Sequence, residues 1–235
     1  MKLLAIDTSE DACSAALLLD GHVEERFEVA PRRHSELILP MMDSLLQQAD
    51  LRLGDLDALA FARGPGAFTG LRIAASVVQG AALGADLRVV PVSSLQALAQ
   101  GADFDGGGAD KVGPADGGLA VLTALDARMG EVYWGAFAAD AAGIMRPLVD
   151  ETVCAPQDVP VPQVKVSLGV GSGWQTYADE LRTRCSPTRI ESSPSMVHAG
   201  AVAVLAAALY DEGHGVAAEQ ALPVYLRNQV AWAKS

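Results

Sequence analysis

The sequence has little of what site chemistry usually needs. Its three cysteines, Cys13, Cys154 and Cys185, stand far apart, form no CxxC pair and are odd in number. That excludes a disulfide framework and points to a reducing compartment. The four histidines, His22, His34, His198 and His214, are scattered, and none has a second imidazole four residues away. With no HExxH and no Cys/His cluster, no metal site is expected. There is no GxSxG elbow and no cysteine beside a plausible base, so nucleophilic catalysis finds no support. Cations are also scarce: 17 Lys and Arg face 29 Asp and Glu, a net charge of −12. A chain that grips a phosphate backbone by itself needs a clustered basic patch. Here the basic residues gather no further than Arg32-Arg33 and the Arg182/Arg184/Arg189 region. If nucleic acid is involved, another chain does most of the holding.

Long hydrophobic runs are missing too, although half of the 235 residues are hydrophobic. Asp7, Glu10 and Asp11 interrupt the N-terminal apolar stretch before a signal-peptide core can form. The nearest approach to a span is Ala199 to Leu209, well short of roughly 18 residues. A cytoplasmic chain with no membrane partner is expected. Its length suits two small lobes.

The pattern along the chain is α/β. Leu3–Thr8, Cys13–Leu19 and Val23–Val29 read as strands, with Asp20-Gly21 as a hairpin turn. Ser35 is placed to cap a helix over Glu36–Ala49, and Thr69 to cap one over Gly70–Gly84. Strands at Asp57–Ala62 and Val89–Val92 flank that second helix, and Ser93 or Ser94 opens a third. The order β-β-β-α-β-α-β-α defines an N-terminal lobe over residues 1–100. A Gly/Asp-rich segment, 101–118, reads as a flexible link. Residues 119–235 then restart with strands Leu119–Leu125 and Val132–Ala138 around a turn Asp126–Gly130. A strand Val164–Leu168, a helix from Trp174 and a helix Val197–Tyr210 follow; the last is apolar nearly all round and belongs inside the core. Two lobes that each open with a hairpin and an Asp-containing turn suggest the actin-like ATPase (ribonuclease H-like) architecture, here with a shortened second lobe.

In that architecture the paired turns face a cleft and handle phosphates. Asp7, Thr8, Ser9 and Asp126 are therefore candidates for a weak nucleotide or phosphate contact, or else for turn residues satisfied by nearby amides. Thr8 and Ser9 stand where kinase-like members place glycine. An independent small-molecule kinase or ATPase is the competing function on this evidence. The sharpest local signal is the loop Gly64, Pro65, Gly66, Phe68, Thr69, Gly70. Glycines open backbone geometry and a helix start favours anions. The same residues equally suit a constrained turn that packs Phe68 into the core. No Lys-Ser/Thr follows, so it is not a Walker A loop, and its glycines are one residue too wide for GxGxxG.

The first helix carries Leu37, Ile38, Met41, Met42, Leu45, Leu46 and Ala49 on an arc of roughly 180°, wider than the roughly 100° stripe of one core contact. Leu39 widens it further. The second helix carries small residues at Ala74, Ala75, Gly80, Ala81 and Ala82, which permit close helix approach. An apolar face on this helix pair marks a protein–protein interface or a helix buried on two sides of its own lobe.

Met1–Ser9 (MKLLAIDTS), His34–Pro40 (HSELILP), Gly64–Ile73 (GPGAFTGLRI), Leu125–Arg128 (LDAR) and Pro223–Arg227 (PVYLR) together resemble the TsaB (YeaZ) family, in order and over essentially the whole chain. The Gly64–Ile73 motif is the most specific of them. The resemblance implies the actin-like fold and a part in making N6-threonylcarbamoyladenosine (t6A) at tRNA position 37. In that system the catalytic paralogue TsaD transfers the threonylcarbamoyl group and TsaE is an ATPase. The resemblance implies a non-catalytic partner subunit that activates TsaD, meets tRNA only through the complex, and holds no cofactor tightly although the wider complex uses ATP. It also implies pairing with TsaD, or with itself when alone, through Leu37, Ile38, Met41, Met42, Leu45, Arg72, Ile73 and Ser76. TsaD holds a metal through a histidine pair near the first helix, and this chain keeps only His34 there. Ala67 departs from the serine that many members carry.

Overall fold

A computed structural model of the protein describes residues 1–102, 120–191 and 195–227. The chain opens as an antiparallel meander, β1 (Lys2–Asp7), β2 (Ala12–Leu19) and β3 (His22–Val29). Its β2–β3 turn is Asp20-Gly21, both in the left-handed region, as a two-residue hairpin requires. There follow α1 (His34–Gln48), β4 (Ala58–Gly64), α2 (Phe68–Ala85), β5 (Arg88–Ser93) and α3 (Ser94–Gly101). The sheet order is β3-β2-β1-β4-β5, with β4 parallel to both β1 and β5. The second lobe contains β6 (Ala120–Arg128), β7 (Glu131–Ala139), β8 (Met145–Pro147), β9 (Thr152–Cys154) and β10 (Val166–Val170). It continues with α4 (Ser172–Thr176), α5 (Ala178–Cys185), β11 (Arg189–Ile190) and α6 (Ala199–Asp211). Its sheet runs β11-β10-β6-β7-β8, with β9 also on β7.

The sheets and helices stack in five layers. On β1, Leu4 and Ile6 pack with α1 and α2, whereas Leu3 and Ala5 pack with α3 and α6. The period of two sends alternate residues to opposite faces, and both faces are covered, so Leu3 to Ile6 are all apolar. The middle layer, α3 and α6, also receives Val121, Leu125, Phe137 and Val170 from the second sheet. α4 and α5 cover that sheet's far side. The all-round apolar α6 thus lies between the two sheets, as its sequence predicts. Its first turn has no cap of its own. Instead Val197 N donates to Glu10 Oε2 (3.0 Å), Ala199 N to Ser14 Oγ (2.9 Å) and Gly200 N to Glu25 Oε1 (3.0 Å). First-lobe side chains satisfy amides that a helix start leaves open.

Several expected boundaries shift. α1 starts at His34 without a side-chain cap, and α2 starts at Phe68 after Ala67, so neither Ser35 nor Thr69 caps. Ser93 does cap α3, accepting from Gln96 N at 3.2 Å. β6 runs through Asp126 to Arg128, which leaves only Met129-Gly130 as the turn. The strand expected over Val164–Leu168 lies two residues later, and the helix expected from Trp174 starts at Ser172 and breaks at Tyr177. The longest apolar helix is α2, not α6: its 18 residues are long and apolar enough to cross a membrane. Its Leu71, Ala74, Ala75, Val78 and Ala82 are nonetheless buried against the first sheet. Beyond Gly101 and Ala102, the expected 101–118 link lies outside the described residues.

The far side of the second lobe is built on two tryptophans. Trp134 and Trp174 are fully buried with ring centroids 5.9 Å apart. Their indole N–H groups donate to Pro160 O (2.9 Å) and Leu122 O (3.0 Å). Gly169 is a glycine because a Cβ there would sit 2.6 Å from the Trp174 ring. Trp174→Ala should cost about 3–5 kcal/mol in chemical denaturation. A loss under about 1 kcal/mol would show that this pair is not the lobe's anchor.

Candidate functional site

Between the lobes lies a cleft of about 500 Å³, bordered by Ser9, Glu10, Gly66 and Phe68 on one side and by Asp126, Arg128, Tyr133 and Ser172 on the other. Of the candidate phosphate residues, Ser9 and Asp126 reach it and Asp7 and Thr8 do not border it. The reason is the loop between β4 and α2. Ala67 N donates to Ser9 O at 2.7 Å, and the Thr8 hydroxyl donates to Gly70 O at 2.8 Å. A Cβ on Gly70 would stand 1.9 Å from Thr8 O, and one on Gly66 2.5 Å from Ser9 O. The two glycines let one backbone lie directly on the other, so the loop covers the first Asp-containing turn. Asp126, on the other lobe, is held by Arg128 at 3.0 Å and accepts from Arg128 N at 2.8 Å.

Burial also changes the chemistry of this turn. Asp7 is wholly buried; its Oδ1 accepts from Ser9 N at 3.2 Å and its Oδ2 has no partner. Burial, partly opposed by the adjacent Ser9, pushes its carboxyl up to about 8. Burial likewise raises Glu10 to about 7, against the pull of the Val197 amide. Burial thus favours the neutral form of the Asp7 carboxyl. His34 is also buried and lies 3.1 Å from Ala12 O through Nε2. Among the described residues no group of three or more His, Cys, Asp or Glu is placed to hold a metal.

The helix pair divides sharply by burial. Ile38, Met42 and Leu45 turn into the first sheet, so a partner cannot reach them in the folded lobe. Their apolar side is explained by the core, which corrects their expected place on an outer face. Met42 in particular cannot be charged without disturbing the fold. Leu37 and Met41 are half-buried at the edge, and Leu39 is 56% exposed. On α2, Arg72 and Ser76 are exposed and Ile73 is half-buried. With Ser35, Phe68, Thr69 and Val77 they line a groove of about 410 Å³. Further along the same helix Gly80 and Gly84 are exposed with open space where a Cβ would be, and Leu83 is 77% exposed.

Phe68 does not enter the core; it is 54% exposed. The Arg72 guanidinium lies 3.8 Å above its ring, and the Tyr225 ring stands 5.3 Å away. Arg72 Nε donates to the Tyr225 hydroxyl at 3.3 Å. Sequence reasoning missed Tyr225 as a site residue. The motif Pro223–Arg227 was visible, but a contact 153 positions from Arg72 leaves no local trace.

Two measurements test this geometry. Gly70→Ala should destabilise the chain by about 1–3 kcal/mol in urea unfolding, because the backbone of Thr8 must move; an unchanged midpoint would contradict the close approach. Asp7 and Glu10 bind protons in the folded chain up to about 8 and about 7, against roughly 4 in an unfolded one. The folded state then holds more protons between those limits. The associated stability is complete below about pH 4 and is lost as pH rises through about 8. Asp7→Asn should flatten that decline when urea midpoints are compared at about pH 5 and about pH 9. An identical slope in both proteins would argue against the buried neutral carboxyl.

Comparison with known proteins agrees with this architecture. The sequence model of the family described as TsaD, tRNA N6-adenosine threonylcarbamoyltransferase, matches residues 27–169. The tRNA threonylcarbamoyladenosine biosynthesis protein TsaB of Escherichia coli K12 is 41% identical over 237 residues, covering 100% of this chain and 98% of that protein. Its counterpart in Haemophilus influenzae is 38% identical, covering 100% and 97%. The structure of YeaZ from Pseudomonas aeruginosa superposes with a TM-score of 0.85 at 43% identity, covering 96% of this chain and 99% of that one. The fold is thus the expected two-lobed, actin-like one, and the chain belongs to the TsaB (YeaZ) family of tRNA threonylcarbamoyladenosine biosynthesis proteins.

Proposed function

We propose that this chain is the non-catalytic, cytoplasmic subunit that binds and activates a TsaD-type threonylcarbamoyl transferase in t6A formation. The observation that carries the reading is the outer side of α2. There Ser76, Gly80 and Gly84, one turn apart, form a stripe of small residues with open space above both glycines. Small residues at that spacing let a second helix approach closely, and the exposed Leu83 beside Gly84, with the exposed Leu39 on α1, supplies apolar surface. Self-pairing of the isolated chain would use the same stripe. With a net charge of −12, the chain would meet tRNA through the complex rather than alone. ATP use and contact with TsaE belong, on this reading, to the wider assembly. The covered Asp7–Ser9 turn gives a kinase or ATPase reading less support, because the backbone that would approach a phosphate already lies against Gly66 and Gly70.

Gly80→Arg is the decisive variant. The site is exposed and helical, so folding should be retained by circular dichroism. Association with the TsaD-type partner should weaken by about 2–4 kcal/mol, roughly 30- to 1,000-fold in Kd. Unchanged co-elution of the folded variant would overturn the proposed face. Transfer of threonylcarbamoyl to tRNA by the isolated chain would overturn the non-catalytic role.

A further inference from the structure

The segment from Val216 to Arg227 touches both lobes. Val216 makes paired backbone hydrogen bonds with Val89 on the free edge of β5 (2.9 and 2.8 Å). The chain then packs Ala218 and Ala221 into the outer core of the first lobe, and Ala221 O accepts from Gln79 Nε2 of α2 at 3.2 Å. Val224 N donates to Arg63 O at 2.8 Å. Gly64, with φ +115°, admits this crossing, since a Cβ there would lie 2.7 Å from Val224 O. Tyr225 next stacks near Phe68 and receives the Arg72 hydrogen bond. Arg227 finally leaves the first lobe: it is ion-paired with Glu131 and donates to Arg128 O at 3.4 Å, with Met129 Sδ at 3.7 Å. Seven residues thus bind the start of α2 to the β6–β7 turn. Phe68 and Arg128, which they join, stand on opposite sides of the cleft.

We propose that residues 221–227 are a strap that locks the start of α2 to the β6–β7 turn across the cleft, with Tyr225 and Arg227 as positioning residues. The strap holds the start of α2 and the β6–β7 turn in one mutual orientation, so that a partner docking on α2 meets a surface shared by both lobes. The second half of this statement rests on the reading of α2 as the partner face. Nothing else on the exposed side ties these two points together by side chain, apart from contacts made by the strap itself, among the described hydrogen bonds. The Arg227–Glu131 pair is the accessible place to cut the strap. Its arginine is 19% and its glutamate 38% exposed, so losing it leaves no deeply buried charge.

The test uses the full chain, with Arg227→Ala, Glu131→Ala and the double exchange of Arg227→Glu with Glu131→Arg. In amide hydrogen exchange on the isolated protein, each single variant should speed exchange by about fivefold at residues 63–72 and also at 126–131. The double exchange should restore both regions. A change confined to 126–131 would mean a local ion pair and would overturn the strap. In the association assay with the TsaD-type partner, the single variants should bind more weakly and the double exchange should recover binding. Recovery argues for the internal pair rather than direct contact of Arg227 with the partner. Unaltered association, in an assay where Gly80→Arg does weaken it, would overturn the coupling while leaving the partner face intact. If Gly80→Arg binds normally, the partner face itself fails, and the exchange result still decides the strap.

Discussion

The backbone of the Asp7–Ser9 turn lies against the backbone of the Gly66–Gly70 loop, and much of the site follows from that contact. It requires glycine at both positions, since a side chain at Gly70 would overlap the Thr8 carbonyl. It covers that turn, so that Asp7 and Thr8 do not border the cleft. It leaves Asp7 buried with one oxygen unpartnered, and burial pushes its carboxyl up to about 8. The same contact fixes where α2 begins, and so where the exposed side of that helix points. The glycine-rich loop, for which anion contact and a constrained turn were equally open in sequence, packs its backbone directly on that of Thr8 and Ser9.

The layered core gives that joint its rigidity. The apolar α6 lies between two sheets, and its open amides are satisfied by Glu10, Ser14 and Glu25 of the first lobe. An unmade hydrogen bond at a buried helix start costs more than a made one contributes. The three acceptors therefore hold the second half of the chain in register with the first. The C-terminal residues repeat the theme from outside, crossing from β5 and α2 to the β6–β7 turn. A shortened second lobe, with its outer core resting on Trp134 and Trp174, is thus tied to the larger one from within and across its surface.

Local chemistry made much of this legible. Period-two apolar runs, the Asp20-Gly21 turn, the Ser93 cap and the all-round apolar character of α6 each reflect interactions within a few residues, which a sequence carries directly. The two expected caps failed because a helix can start on backbone and tertiary contacts alone, as α1 and α2 do. The wide apolar arc of α1 was a sum of two things that sequence cannot separate. Ile38, Met42 and Leu45 serve the lobe's own core, whereas Leu39 faces outward.

By itself, then, the sequence determined the α/β order, the scarcity of histidine and cysteine, the acidic charge and, through its motifs, the family. Those properties depend on composition and on neighbours along the chain. Only the tertiary structure decided that Phe68 lies on the surface beneath Arg72 and beside Tyr225, that Asp7 is sealed, and that Arg227 reaches Glu131. Each of these depends on segments far apart in sequence being brought within a few ångströms by the packing of sheets and helices. No periodicity or propensity encodes that meeting.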